Sequence, residues 1–190
     1  PTGLELSRLK GLLEKLAQTP EGFVLHPGVQ RLLDKRKKMV AGEEPLDWGA
    51  AEALAYATLV AEGYGLRLTG QDTERGTFAH RHAVLHDTRT GKTAFPIGAL
   101  SPGKSRALVC NSPLSEMACL GFEFGYSLDT PDALVAWEAQ FGDFANNGQV
   151  IVDQFIAAAE DKWKRLSGLT LLLPHGFEGA GPEHSTARVE

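Results

Sequence analysis

The chain has 190 residues, 43% of them hydrophobic and 23% charged, which is enough for one sizeable core and ordinary for a globular protein. A net charge of −5 argues against nucleic acid as the main partner, and no apolar run approaches membrane-spanning length or reads as a signal peptide. Cys110 and Cys119 have no metal-type spacing and read as reduced core residues of a reducing compartment.

Residues 1–46 read as a helical lead-in. Thr2 and Glu5 have capping-box spacing, and Leu6, Leu9, Leu13 and Leu16 form one apolar stripe. Thr19-Pro20-Glu21-Gly22 breaks that helix. A second follows with Val29, Leu32, Leu33 and Val40 inward and the basic run Lys35-Arg36-Lys37-Lys38 as a solvated face. Ala41-Gly42-Glu43-Glu44-Pro45 then reads as a linker.

From Asp47 the pattern alternates between helix and strand. Asp47 caps an alanine-rich helix ending at Gly63, and Leu66–Thr69, Ala107–Cys110, Leu134–Trp137 and Leu169–Leu173 are apolar strands. Helices are expected at 113–124 and 147–166. This alternation predicts an α/β fold with a mostly parallel sheet flanked by helices on both faces. Phe78, His80, His82 and His86 share parity and would face one side of a strand, so the three histidines are a minor metal alternative with no carboxylate or thiol to complete it.

Residues 111–144 hold the most chemistry. Ser112 reads as an N-cap, Pro113 as the first helical residue and Gly125 as the stop. Glu116 would then sit in the first turn, favoured by the helix dipole, with apolar Cys119 and Leu120 three and four residues on. Gln140, Phe141 and Phe144 follow the next strand. In an open α/β sheet ligands bind at the carboxyl ends of the strands. The glycine-rich stretch from Pro174 to Ser185 lacks phosphate-loop spacing, but His175 and His184 flank it and could serve acid/base chemistry.

Asn111-Ser112-Pro113-Leu114-Ser115-Glu116, Trp137-Glu138-Ala139-Gln140-Phe141-Gly142-Asp143-Phe144-Ala145-Asn146 and Leu172-Leu173-Pro174-His175-Gly176 through Gly181-Pro182-Glu183-His184-Ser185 together resemble one family. It is the first, decarboxylating component of the 2-oxoglutarate dehydrogenase complex, which depends on thiamin diphosphate. Asp47-Trp48-Gly49-Ala50-Ala51-Glu52, Arg75-Gly76-Thr77-Phe78 and Arg81-His82-Ala83-Val84 resemble it too, so the likeness runs in register through nearly all of 20–190. The resemblance implies that 47–190 is the pyrimidine-binding domain of transketolase-like enzymes. The start at Pro1 and the stop at Glu190 suggest a piece of a longer protein, with this domain cut short.

By that resemblance Glu116 hydrogen-bonds N1′ of the aminopyrimidine, which calls for a carboxyl group in a low-dielectric position with a raised pKa. The imino tautomer so favoured can take the thiazolium C2 proton, and the ring accepts the electrons released with CO₂. Leu114, Phe141 and Phe144 would line the cofactor's pyrimidine, and His184 would stand near the substrate. His175 would take a supporting role and Asp72 a place in a proton relay between paired sites. The Mg²⁺–diphosphate motif is absent here: Gly142-Asp143 with Asn146-Asn147 imitates it at far too short a spacing. No metal ligand is therefore assigned, and those of the full enzyme would lie in a diphosphate-binding domain of the partner subunit in a homodimer.

The partners implied are 2-oxoglutarate and the lipoyl-bearing succinyltransferase component, in a bacterial cytoplasm or a mitochondrial matrix. The alternatives are a non-oxidative 2-oxo acid decarboxylase or carboligase on the same scaffold, and a non-catalytic assembly module.

Overall fold

The computed structural model describes residues 3–104 and 106–175, and these fall into two compact units. The first comprises Pro1–Gly63 and Phe78–Ala107, the second Tyr64–Thr77 and Leu108–Glu190.

In the first unit, helices α1 (Leu6–Leu16), α2 (Pro27–Ala41) and α3 (Trp48–Ala61) carry most of the structure. Leu12, Leu13 and Leu16 are the buried face of α1, whereas Leu6 is 66% exposed, so the apolar stripe is rotated from the expected one. Thr2 lies outside the described residues, and Glu5 precedes the helix with no capping bond from its side chain. Helix α2 has Pro27 at its first position, where the missing N–H costs nothing, and ends at Gly42 with φ 80°, the left-handed cap that glycine accepts freely. Asp47 caps α3 as expected, its carboxylate accepting from the Ala50 N–H at 2.8 Å.

The basic run is not uniformly solvated. Lys35, Lys37 and Lys38 pair with Asp47, Asp34 and Glu44 at the surface, but Arg36 points inward and is 4% exposed. On a helix, four consecutive residues sweep right around the axis, so one of them must face the core.

The histidine stretch is likewise not a strand. The ladder in this region is only β2 (Leu85–His86) against β3 (Thr93–Ala94), and His82 has φ 43°. His80, His82 and His86 therefore share no strand face. His80 instead turns its Nε2 toward Glu52 at 3.2 Å, under the ring of Trp48. Gly49 fits here because a Cβ would lie 2.7 Å from the His80 carbonyl oxygen. Leu25, Leu33 and Leu85 form a small core with Phe23 and Val29.

The second unit holds a four-stranded sheet in the order β4-β1-β5-β6, with β1 Gly65–Gly70, β4 Ala107–Asn111, β5 Ala133–Glu138 and β6 Thr170–Leu172. β1 and β5 run parallel, Gly65 opposite Ala133 through Gly70 opposite Glu138, and β6 runs parallel to β5. Leu66, Leu68, Val135, Ala136 and Trp137 are all buried, as central parallel strands covered on both faces require.

Helix α4 spans Glu116–Asp129, so it starts three residues later and ends five later than the sequence suggests. Ser115 is its N-cap; the Ser112 hydroxyl accepts from the Leu114 N–H in a turn instead. The Ser112 N–H is bonded to the Gly70 carbonyl at 2.7 Å, which holds the chain in extended form past the end of β4. Gly125 does not stop the helix; Thr130, unable to stay helical before Pro131, does.

The single helix expected over 147–166 is replaced by a string of short turns. These are a 3₁₀ segment Gly142–Gly148, α-helical Gln149–Ile151, a π-turn Val152–Ile156 and a short helix Ala159–Trp163. Ile151, Val152 and Ile156 pack on a core of Cys119, Leu120, Trp137 and Ala139.

Candidate active site

The carboxyl ends of β1 and β5 lie side by side, and the end of β4 is tied to them by the Ser112–Gly70 bond. A shallow cleft opens at this edge. Cys119 and Trp137, both nearly fully buried, contribute apolar walls; Gln71, Gln140 and the buried Glu138 are its polar lining, and Leu114 and Glu116 close it from the α4 side.

Glu116 is the first residue of α4, where the unpaired N–H groups and the helix dipole favour a carboxylate. It is half-buried, and its Oε2 accepts a hydrogen bond from the Asn147 amide at 2.6 Å. Its Oε1 has no protein partner among the described residues. One oxygen is thus anchored and the other unengaged, in a residue that lines the pocket.

Asn147 is the residue that sequence reasoning missed. It was visible only as half of an Asn-Asn pair resembling a metal motif, and its real partner is a carboxylate 31 residues away. Gln71 is similar: nothing in its local pattern marks it, and its amide reaches the Leu114 carbonyl at 3.4 Å.

Phe141 and Phe144 pack edge to face with ring centroids 5.3 Å apart. They sit at the start of the 3₁₀ segment that also carries Asn147, but neither ring lines the pocket. The Thr77 hydroxyl donates to the Gln140 carbonyl, and the Gly142 N–H to the Pro174 carbonyl at 2.8 Å. These bonds bring the chain after β6 beside the chain after β5. His175 follows at once, exposed, with Nδ1 2.7 Å from the Leu173 carbonyl oxygen. His184 and the glycine-rich loop around it lie outside the described residues. Asp72, in the left-handed region at φ 60°, is bound by Arg75 in an ion pair whose Nε lies 3.0 Å from Oδ2.

Behind the pocket, Glu123 is 1% exposed and takes a bidentate pair from Arg67, at 2.7 and 2.9 Å, plus the Thr69 hydroxyl at 2.8 Å. Arg67 also lies over the rings of Phe122 and Tyr126. This network locks α4, and so Glu116, to β1. The two cysteines are free as expected, and burial pushes the Cys110 thiol upward, which suits a packing role.

A parallel α/β sheet with an acidic helix start at its carboxyl edge defines a ligand-binding α/β domain. Residues 44–190 match the transketolase pyrimidine-binding domain, and the chain belongs to that family. Over its whole length the chain is 56% identical to the 2-oxoglutarate dehydrogenase E1 component of Oceanobacillus iheyensis and 53% identical to that of Cupriavidus necator. It is also 53% identical to the mitochondrial 2-oxoglutarate dehydrogenase of Schizosaccharomyces pombe. The chain spans about a fifth of the length of these curated relatives, 20%, 20% and 19% in turn. Among the described residues no helix is long and apolar enough to cross a membrane.

Proposed function

We propose that this chain supplies the aminopyrimidine-binding half of a thiamin diphosphate site in a 2-oxoglutarate dehydrogenase, which decarboxylates 2-oxoglutarate and passes the succinyl group to a lipoyl-bearing partner. The observation that carries this reading is Glu116, anchored by Asn147 through one oxygen and lining a pocket at the sheet edge. Two glutamates, Glu116 and Glu138, beside two glutamines and apolar walls fit a flat, nitrogen-rich ring with hydrogen-bonding edges. The same residues do not fit a diphosphate, since no cation lines the pocket.

Thiamin diphosphate, when bound, supplies the carbon nucleophile and the sink for the electrons released with CO₂. The chain's own part is to share a proton between Glu116 and the ring nitrogen, with Asn147 fixing the carboxyl rotamer. Leu114, which lines the pocket, is assigned to exclude water around the ring; Phe141 and Phe144, outside its lining, are assigned to the cofactor's wider surroundings, His184 to the substrate, and His175 and Asp72 to supporting roles. The organisation that accompanies this reading is a lead-in over 1–46 and the cofactor domain over 47–190, in a bacterial cytoplasm or mitochondrial matrix. Magnesium and diphosphate are assigned to another domain across a homodimer, so the chain by itself is expected to bind the cofactor weakly or not at all.

The test is Glu116→Gln in the full-length protein. Loss of a positioned proton-transfer group should lower turnover by about 10²–10⁴-fold with the melting temperature little changed. An unaffected rate would favour a non-catalytic assembly module. Product analysis with and without a lipoyl acceptor separates the dehydrogenase from a non-oxidative decarboxylase.

A further inference from the structure

A second, narrow cavity lies wholly within the first unit. Arg36 and Arg81 line it with His82, and Leu16, Ala53 and Ile97 are among its apolar walls. No carboxylate lines it.

The two arginines are not equivalent. Arg81, 1% exposed, is neutralised by Glu52, whose Oε1 lies 2.7 Å from its Nη2. Arg36 makes no ion pair among the described residues. Its Nη2 donates to the Arg81 carbonyl at 3.0 Å and more weakly to the His80 carbonyl at 3.5 Å, while its buried Nε has no partner. The nearest acids are already engaged: Asp47 pairs with Lys35, and Glu52 with Arg81. Arg36 is thus a buried cation without an ion-pair partner among the described residues, at a cavity with largely apolar walls.

An unpaired buried ion and an unmade buried hydrogen bond each cost free energy, and a single-charged anion on Nε would relieve both. The space and its walls suit something compact with no demand for many donors. We infer that this cavity is a binding site for one halide-sized monovalent anion, held by Arg36 through Nε. Its occupation would knit α2, α3 and the 80–97 segment together, since those elements supply the walls. The role is structural, separate from the chemistry at Glu116.

The test uses crystals of the full-length protein soaked in sodium bromide. Anomalous difference density is expected to place one bromide within hydrogen-bond distance of Arg36 Nε. A water there in its stead, or bromide only at other positions, overturns the proposal. In solution, replacing gluconate by chloride at constant ionic strength should raise the melting temperature by about 2 °C, and Arg36→Met should abolish that dependence. A chloride effect of equal size in Arg36→Met would also overturn it. If Arg36→Met does not fold, the bromide soak of the wild-type protein still decides the question.

Discussion

At the level of single residues, the carboxylate at 116 could be found from sequence because helix starts favour acids and a family motif marks the position. What sequence could not supply was the group that holds it. Asn147 is exposed, sits in a turn and bonds to Glu116 across 31 residues, so no local pattern encodes the pair. Its bond fixes one rotamer of a half-buried side chain without adding to the core. Asn147→Ala is therefore expected to lower turnover of the full-length enzyme by about tenfold, the equivalent of one modest hydrogen bond to a charged group, with little change in melting temperature. Steady-state kinetics alongside a thermal melt would check this; unchanged kinetics would mean that the bond matters only in the free site. Arg36 teaches the same lesson from the other side. Its lysine neighbours make the run look like solvated surface, and only the three-dimensional direction of that one side chain reveals a buried cation.

At the level of elements, legibility followed the strength of local signals. Asp47, followed by an alanine-rich helix, gave the right cap because no other residue nearby competes for the role. Ser112 and Ser115 did compete, and a long-range bond from the Ser112 N–H to Gly70 settled the start of α4 in favour of the second. The helix expected over 147–166 failed for a packing reason. Gly148 lies so close to Leu120 that a Cβ there would sit 2.9 Å from its Cδ2, and the chain wraps the core in short turns instead. The cap at α3 can be tested directly. Asp47→Ala removes a bond to the Ala50 N–H and should cost about 1 kcal/mol in urea unfolding. Lys35→Ala breaks only the half-exposed ion pair to the same carboxylate and should cost less than about 0.5 kcal/mol. Equal losses from the two would assign the stabilisation to charge rather than to capping.

For the whole molecule, alternation of helix and strand announced a parallel sheet, but neither the strand order β4-β1-β5-β6 nor the way residues 78–107 join the N-terminal helices could be read linearly. That union places the acid-sensitive groups of the first unit. Burial alone would raise the Glu52 carboxyl, yet hydrogen bonds from His80 and Arg81 and the charge of Arg81 bring it down to about 2. Asp87 is also held at about 2, first by the Thr90 hydroxyl and then by backbone N–H groups including that of Val24. Both carboxylates bind protons less readily when folded than when unfolded. Their stabilisation is thus complete above the ordinary carboxylate range and is lost as pH falls from about 4.5 toward 2. For Glu52 the loss is at most about 3 kcal/mol, the free energy of holding its carboxyl at about 2 rather than in the ordinary carboxylate range. Urea unfolding followed between pH 6 and pH 2.5 should show stability falling below about pH 4.5. Glu52→Gln should be less stable at pH 6, because the buried Arg81 loses the carboxylate that meets it at 2.7 Å, and its stability should fall less steeply with acid. A Glu52→Gln profile parallel to that of the wild-type protein would show that the acid sensitivity lies elsewhere, with Asp87 the next group to substitute.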